Sequence, residues 1–303
     1  MVRLEELLLS LSHLDLQNEI VEKKAEVEGF GGSCDVFSAW SRKHDKSVAV
    51  KQLRAHLRMD VALAKRLARE MRIWAKLKHP NILPFLGFFV EGKNRVLSLI
   101  SEWMENGTLY HFMKTFPRGG TIARIILRGI ASGLDYLHSQ NVIHADLKSA
   151  NILISSFGTP LLADFGLSLA VSSTQSMSNP SSSSSGADTK GTVRWMAIEL
   201  LPMNDEIPHQ VPDKKSDVWA FGMIIYELLS WKKPYYTQTQ DTLVVIAINN
   251  GARPTKPEEG SSSAVFDHLW SLAQICWHTD PSARPHTISL LSYLSMPCKY
   301  LDI

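Results

Sequence analysis

The spacing of apolar residues gives the first structural signal, close to the start of the chain. Leucines recur at intervals of three, one, three and three positions, at Leu4, Leu7, Leu8, Leu11 and Leu14. This spacing predicts an amphipathic helix over residues 3–14, within an N-terminal extension of residues 1–24. The helix either packs against the rest of the domain or binds a partner, and the pattern does not decide between these alternatives.

A strand-like texture begins at Ile20 and continues through the first third of the chain. Residues 47–51 form a short, mainly apolar run that ends on Lys51, and residues 96–101 form a second such run, so both stretches predict strands. Residues 60–77 instead carry apolar side chains at helical spacing, which predicts a strong helix. This part of the chain is therefore predicted to form a sheet with one major helix.

Beyond Gly107 the pattern becomes that of helices. Apolar residues spaced by three or four positions predict one long buried helix that contains Ile122, Ile126, Ile130, Leu134 and Leu137. Residues 216–229 are apolar almost throughout and predict a core helix, in which Asp217 would need hydrogen-bond partners. The predicted fold class is α+β, with a smaller β-rich part followed by a larger helical part.

A serine-rich stretch over residues 172–190 interrupts the helical part. It includes an unbroken serine run from Ser181 to Ser185 and almost nothing apolar. Such a composition cannot bury a core, so we expect the stretch to be mobile. It is either a tolerated loop insertion or a loop whose hydroxyl groups accept phosphate.

Composition and charge limit the classes of protein to which this chain can belong. The chain has 303 residues, of which 45% are hydrophobic and 20% charged, as in soluble globular proteins. A formal net charge of +2 gives no reason to expect a nucleic-acid or membrane partner. Three widely spaced cysteines, Cys34, Cys276 and Cys298, favour reduced thiols and a cytoplasmic or nuclear location. No apolar run is long enough for a membrane helix or a signal-peptide core.

The strongest chemical signal lies in residues 142–153 and 162–167. Asp146, Lys148 and Asn151 fall within six positions between apolar runs, and Asp164 follows on another apolar run before Phe-Gly. Phosphoryl transfer uses such a set, because one carboxylate orients the attacking hydroxyl while an amide and a second carboxylate hold Mg²⁺ on the phosphates. Any one of these residues alone would be read as part of a surface loop.

Weaker signals precede this segment. The glycine cluster at residues 29–32 would let backbone N–H groups approach phosphates closely, although taken alone it is better explained as a hairpin turn. Lys51 ends a predicted strand, and Glu70 lies on the predicted helix beside Arg66, Arg69 and Arg72. Taken alone, Lys51 is a solvated strand end and Glu70 a partner in helical ion pairs.

In combination these motifs resemble those of eukaryotic protein kinases, over about residues 25–297. The segment Trp195-Met196-Ala197-Ile198-Glu199 is similar to that of the tyrosine-kinase-like group of serine/threonine kinases. The resemblance implies a two-lobed kinase fold, with an N-lobe to about residue 105, a C-lobe from about 106, and a C-terminal tail of residues 298–303. Three positions depart from the family pattern, namely Cys34, Ala145 and Ile198.

The resemblance also implies roles for individual residues. Asp146 would accept the substrate proton, Lys148 would meet phosphate charge, Lys51 and Glu70 would position ATP, and Asn151 with Asp164 would bind Mg²⁺. It assigns ATP contacts to Gly29, Gly31, Val36, Ala49, Lys51, Ser101, Glu102, Met104 and Leu153. It further implies that Asp217 accepts hydrogen bonds from the catalytic-loop backbone and that Arg284 pairs with Glu199.

The predicted function is transfer of the γ-phosphate of Mg-ATP to serine or threonine hydroxyls of protein substrates. Lysine two places after Asp146 is the serine/threonine pattern, and dual specificity stays open. One alternative is a pseudokinase that binds nucleotide without turnover, which the three departures favour. A small-molecule phosphotransferase is a weaker alternative, because the segment ending at Glu199 and the Asp217 helix are features of a peptide site. The oligomeric state is not predicted.

Overall fold

The computed structural model describes residues 9–30, 34–54, 61–92, 96–165, 192–201, 210–257 and 264–296. The chain divides into two compact units. The first comprises residues 1–78, 82–105 and 167–188, and the second comprises residues 79–81, 106–166 and 189–303. The serine-rich stretch 172–190, Gly31 and most of the predicted N-terminal helix lie outside the described residues.

The first unit is built on an antiparallel sheet. Its strands are β1 (Ile20–Val21), β2 (Gly29–Phe30), β3 (Cys34–Ser41), β4 (Lys46–Leu53), β5 (Phe85–Glu91) and β6 (Val96–Glu102). They follow the order β1-β3-β4-β6-β5, and β2 also pairs with β3. One face buries Val48, Val50, Phe89 and Ile100, because alternate residues of a strand point to the same side.

The N-terminal segment is attached to this sheet. Its described part contains a 3₁₀ helix, Ser12–Leu14, and Leu16 is fully buried in the same core cluster. The Leu16 N–H donates to the Phe88 carbonyl at 2.8 Å. Leu11, near the described end of the predicted helix, is also buried, so this end packs against the domain. The rest of the predicted helix, residues 3–8, lies outside the described residues, and for it both alternatives stay predictions.

The predicted major helix of the first unit is α1 (Val61–Lys76). It is fixed to the region of β5 by Trp74, whose ring stacks on Phe85 with centroids 4.7 Å apart. The Trp74 indole N–H donates to the Leu83 carbonyl at 2.7 Å. A buried indole satisfies its donor in this way while contributing a large apolar area.

The second unit is mostly helical. Its elements are α2 (Leu109–Phe112), α3 (Thr121–Ser139), the hairpin β7 (Ile152–Ile154) and β8 (Pro160–Leu162), α4 (Lys214–Ser230), α5 (Asp241–Asn249), α6 (Ala264–Cys276) and α7 (Thr287–Ser295). From Ser216 to Ser230 every residue of α4 is buried, which confirms the prediction of a core helix. No helix within the described ranges is both long and apolar enough to cross a membrane.

One detail of the predicted long helix was wrong. Helix α3 buries Ile126, Ile130, Leu134 and Leu137 as its apolar spacing predicts, but Ile122 is 47% exposed. Ile122 occupies the first turn of α3, at the end of the buried stripe, and apolar spacing alone does not predict where the burial of a helix face ends.

Candidate active site

The catalytic segment runs from the end of α3 to β7 and brings two predicted side chains to the carboxylate of a third, Asp146. The Lys148 ammonium lies 3.0 Å from Oδ1 and 2.9 Å from Oδ2 of Asp146. The Asn151 amide donates to Asp146 Oδ2 and to the Asp146 carbonyl, both at 2.7 Å. Lys148 also donates to Thr192 Oγ1 at 2.9 Å. Asp146 is therefore held in one orientation by two side chains from its own segment.

Two carboxylates of α4 anchor the backbone of this segment. Asp217 accepts the N–H groups of His144 and Ala145, each at 2.9 Å, which confirms the predicted role of Asp217. Glu227 accepts the Ser149 N–H at 3.2 Å and the Ser149 hydroxyl at 2.6 Å. Since α4 is itself buried, it supplies a rigid base that fixes the loop on both sides of Asp146.

Asn151 and Asp164 have the donor chemistry of a magnesium site. The amide nitrogen of Asn151 is used by the two acceptors of Asp146, so its side-chain oxygen is the atom left to bind a cation. The Ala163 N–H donates to the Asn151 carbonyl at 3.0 Å, which ties the residue before Asp164 to Asn151. Amide and carboxylate oxygens are the ligands that Mg²⁺ prefers. The residues present fit this ion.

His144 and two strained backbone positions complete the segment. His144 is fully buried, and burial lowers its pKa, so the ring stays neutral at neutral pH. The edge of this ring meets Phe165, with centroids 6.1 Å apart. Ala145 and Asp164 have φ angles of 64° and 60°, in the left-handed region that non-glycine residues seldom adopt. Strain of this kind clusters at functional sites.

Several predicted nucleotide contacts pair with one another in the sheet of the first unit. Gly29 lies opposite Val36 between β2 and β3, and Ala49 lies opposite Ser101 between β4 and β6. Ser101 is 8% exposed. Gly31 lies outside the described residues. Their role toward a nucleotide stays a prediction.

The remaining predicted contacts are distributed over both units. Lys51 lies on β4, Glu70 on α1 and Glu102 at the end of β6, with Met104 two residues later, all in the first unit. Leu153 lies on β7 in the second unit. The predicted pairing of Lys51 with Glu70 stays a prediction.

The region after the serine-rich stretch is held by a predicted ion pair. Arg284 Nη1 and Nη2 lie 2.6 Å and 2.7 Å from the two oxygens of Glu199, a bidentate geometry. Arg284 is 1% exposed. Ile198, which departs from the family pattern, begins a 3₁₀ helix over Ile198–Leu200 without disturbing this pair.

Two residues of the site were not predicted. Thr192 follows the serine-rich stretch, and nothing in the sequence singles out its hydroxyl as a partner of Lys148. Glu227 carried a usable signal, because a carboxylate within an otherwise apolar helix has to find buried donors. Its third donor is the Trp195 indole N–H at 2.9 Å. Burial raises the Glu227 pKa to about 7.

The family described as "Protein kinase domain" matches residues 22–294. "Serine/threonine-protein kinase STY17" from Arabidopsis thaliana is 28% identical over 285 residues, which cover 93% of this chain and 45% of that protein. "Serine/threonine-protein kinase STY46" from the same plant is 32% identical over 252 residues, covering 82% of this chain and 40% of that protein.

A fungal relative extends the comparison. "Cytokinesis protein sepH" from Aspergillus terreus is 33% identical over 272 residues, covering 88% of this chain and 18% of that protein. The chain thus spans less than half the length of these curated relatives. The family match confirms the predicted α+β kinase fold, and the plant relatives agree with the predicted serine/threonine class. Because the match covers most of its length, the chain belongs to the protein kinase family.

Proposed function

We propose that this chain is an ATP-dependent serine/threonine kinase of the tyrosine-kinase-like group, acting on protein substrates. The observation that carries the proposal is the arrangement around Asp146, whose carboxylate is bonded by both Lys148 and Asn151. A pseudokinase needs no such arrangement, and the relatives named as kinases give it no support.

In this proposal Asp146 orients the substrate hydroxyl and accepts its proton. A carboxylate fixed by neighbouring donors keeps its lone pairs in a constant direction, which favours proton transfer at a defined position. Lys148 contributes a positive charge beside Asp146, where negative charge builds up on the transferring phosphoryl group. The Thr192 hydroxyl holds the Lys148 ammonium from a different segment.

Other residues of the chain bind and orient the nucleotide. Asn151 and Asp164 would hold Mg²⁺, which offsets the charge of the ATP phosphates when it is bound. Lys51 and Glu70 would position those phosphates, and Gly29, Gly31 and Val36 would cover them. The backbone at Glu102 and Met104, with the side chains of Ala49, Ser101 and Leu153, would contact the base.

Transfer of labelled γ-phosphate from Mg-ATP to a generic protein substrate tests the proposal. Asp146→Asn should reduce kcat by roughly 10² to 10⁴ while the KM for ATP stays close to the wild-type value, because proton acceptance and orientation are what it removes. Asp267→Asn is the matched control, since it alters an exposed carboxylate paired with Lys256. Nucleotide binding without any transfer by the wild-type chain would instead support the pseudokinase.

The location of the chain in the cell belongs to the same proposal. We propose a cytoplasmic or nuclear location, supported by the wide spacing of the three cysteines and by Cys276, whose buried thiol forms no disulfide within the described residues. Burial also raises the pKa of the Cys276 thiol, which keeps it protonated and inert. Fractionation of cells that express the tagged chain tests this location.

A further inference from the structure

A cluster of cations on the second unit lies over aromatic rings. We call it the basic-aromatic patch; it consists of Tyr110, Lys114, Arg118, Trp231, Lys232, Lys233 and Tyr236. The Lys114 and Lys233 ammonium groups both approach the Tyr110 ring, at 4.9 Å and 5.7 Å from its centroid. One ring thus holds two like charges near each other.

In the second half of the patch each cation lies over a ring of its own. The Lys232 ammonium lies 4.2 Å from the centroid of the Tyr236 ring. The Arg118 guanidinium lies 5.3 Å from the centroid of Trp231. A ring attracts a cation through its quadrupole but carries no net charge, so it positions the cation without neutralising it.

The three lysines of the patch keep their charge available to a ligand. Within the described part of the second unit, the ion pairs use His138, Lys148, Arg194, Lys256 and Arg284. None of them uses Lys114, Lys232 or Lys233, and all three of these side chains are exposed. The patch is therefore a local concentration of positive charge in a chain whose formal net charge is only +2.

The patch borders the catalytic segment. Helix α2, which carries Tyr110, packs against the 3₁₀ helix Ser149–Asn151. Lys233 lies close enough to Glu227 for its charge to oppose the burial-driven rise of that pKa, and Glu227 is bonded to Ser149. The patch thus lies beside the same loop that carries Asp146.

A second connection runs through the segment that follows the serine-rich stretch. The Arg194 guanidinium donates to the carbonyls of Pro234 and Tyr235, at 3.1 Å and 2.8 Å. Arg194 is two residues from Thr192, the partner of Lys148. The loop that carries Lys232, Lys233 and Tyr236 is therefore attached to the segment of Thr192 and Arg194. Lys233 also places this loop near the catalytic segment, through Glu227.

We infer that the basic-aromatic patch binds aspartate and glutamate side chains of the protein substrate, so that this kinase prefers serines and threonines flanked by acidic residues. The inference rests on the proposed function and adds to it the class of protein substrate that the kinase prefers. Exposed charges facing an acidic segment attract it over a distance of about 10 Å at moderate salt, and this attraction weakens as ionic strength rises. The rings restrict the lysines beforehand, so less side-chain freedom is lost on binding.

Paired peptides test the inference. Each pair has one phosphorylatable serine, flanked either by Asp and Glu or by their neutral counterparts Asn and Gln. With the wild-type chain we expect the acidic peptide to have a kcat/KM about tenfold higher, mainly through KM, and we expect this ratio to fall as salt is raised. The double variant Lys114→Glu/Lys233→Glu should abolish or reverse the preference, with little change in the KM for ATP.

Arg128→Glu is the control for the position of the charge, because it reverses an exposed cation on α3 outside the patch. An equal loss of preference in this control would overturn the inference, as would equal kcat/KM values for the two peptides with the wild-type chain. A third peptide with phosphoserine at the flanking positions distinguishes phosphate from carboxylate. Preference for that peptide, with none for the Asp and Glu peptide, would also overturn it.

A binding measurement separates failure of this inference from failure of the proposed function. If the wild-type chain phosphorylates neither the peptides nor the generic protein substrate, the proposed function is contradicted. Fluorescence anisotropy of the labelled acidic peptide still tests the patch, since the double variant should bind it at least several-fold more weakly than wild type and Arg128→Glu. Equal affinity in all three chains would overturn the inference regardless of activity.

Discussion

The carboxylate of Asp217 accepts the backbone N–H of Ala145, with Oδ1 and N 2.9 Å apart. Its other oxygen accepts the His144 N–H and lies 2.9 Å from His138 Nε2. Asp217 is 2% exposed, so these bonds are made away from water. A core helix thus fixes the backbone immediately before Asp146.

Asp217→Ala should therefore lower both stability and turnover. The substitution leaves two N–H groups without their acceptor, and each buried donor left unsatisfied costs about 1–3 kcal/mol. We expect chemical denaturation to show a fall of this order in the free energy of unfolding. In the folded fraction, kcat should fall more than the KM for ATP rises.

Asp267→Ala provides the comparison for Asp217→Ala. Asp267 pairs with Lys256 on the surface, where the two side chains are 57% and 49% exposed. Such pairs contribute about 0–1 kcal/mol. If both variants lost the same stability, the buried bonds of Asp217 would not be what fixes the loop.

Ala145→Gly should stabilise the chain. At a φ of 64°, the left-handed conformation costs an alanine roughly 1–2 kcal/mol, whereas a glycine there costs roughly 0.5–1 kcal/mol in lost backbone freedom. The difference predicts a gain of about 0.5–1 kcal/mol, measurable as a shift of the denaturation midpoint with an unchanged slope. Ala145→Val, which adds branching at the same φ, should destabilise the chain. A loss of stability in Ala145→Gly would mean that the side-chain methyl contributes packing that outweighs the strain.

Part of this site could be predicted from the sequence and part could not. The Asp146, Lys148 and Asn151 cluster lies within one short segment, so spacing alone brings these side chains near one another. Asp217 was identifiable because a carboxylate in an apolar helix needs hydrogen-bond donors. The same argument identifies Glu227, which was not predicted. Thr192 and the patch around Tyr110 depend on contacts between distant segments, which no local pattern encodes.

Glu227 should make stability depend on pH. Its folded pKa is raised from an ordinary value of 4.5 to about 7, chiefly by burial. Between these values the folded state holds a proton that the unfolded state has released, so stability falls as pH rises through this window, by up to about 3 kcal/mol. Glu227→Gln should remove this contribution while keeping a similar shape.

The measurement compares unfolding free energies of wild type and Glu227→Gln at several pH values from 4.5 to 8. The comparison is needed because burial lowers the pKa of His79, His144 and His268, which makes stability rise with pH and opposes Glu227. These histidines are common to both chains, so the difference isolates Glu227. A difference that stays constant with pH would contradict the prediction.

Control by phosphorylation is expected to be weak. In many kinases an arginine directly before the catalytic aspartate binds a phosphate on the activation loop. Here that position is Ala145, which has no charge. Arg194 cannot replace it, because its guanidinium is buried and already donates to the carbonyls of Pro234, Tyr235 and Gln238.

Phosphate on the serines of residues 172–190 should therefore leave basal activity nearly unchanged, since the usual cation that would bind it and order the catalytic segment is missing at Ala145. The test is phosphatase treatment of the purified chain, confirmed by mass spectrometry, followed by an assay with Mg-ATP and a generic substrate. We expect the treated and untreated chains to differ by less than about tenfold, which is about 1.4 kcal/mol in the barrier. A larger loss of activity would show that another cation binds the loop phosphate. In that case Ala145→Arg would not increase the dependence of activity on phosphorylation any further.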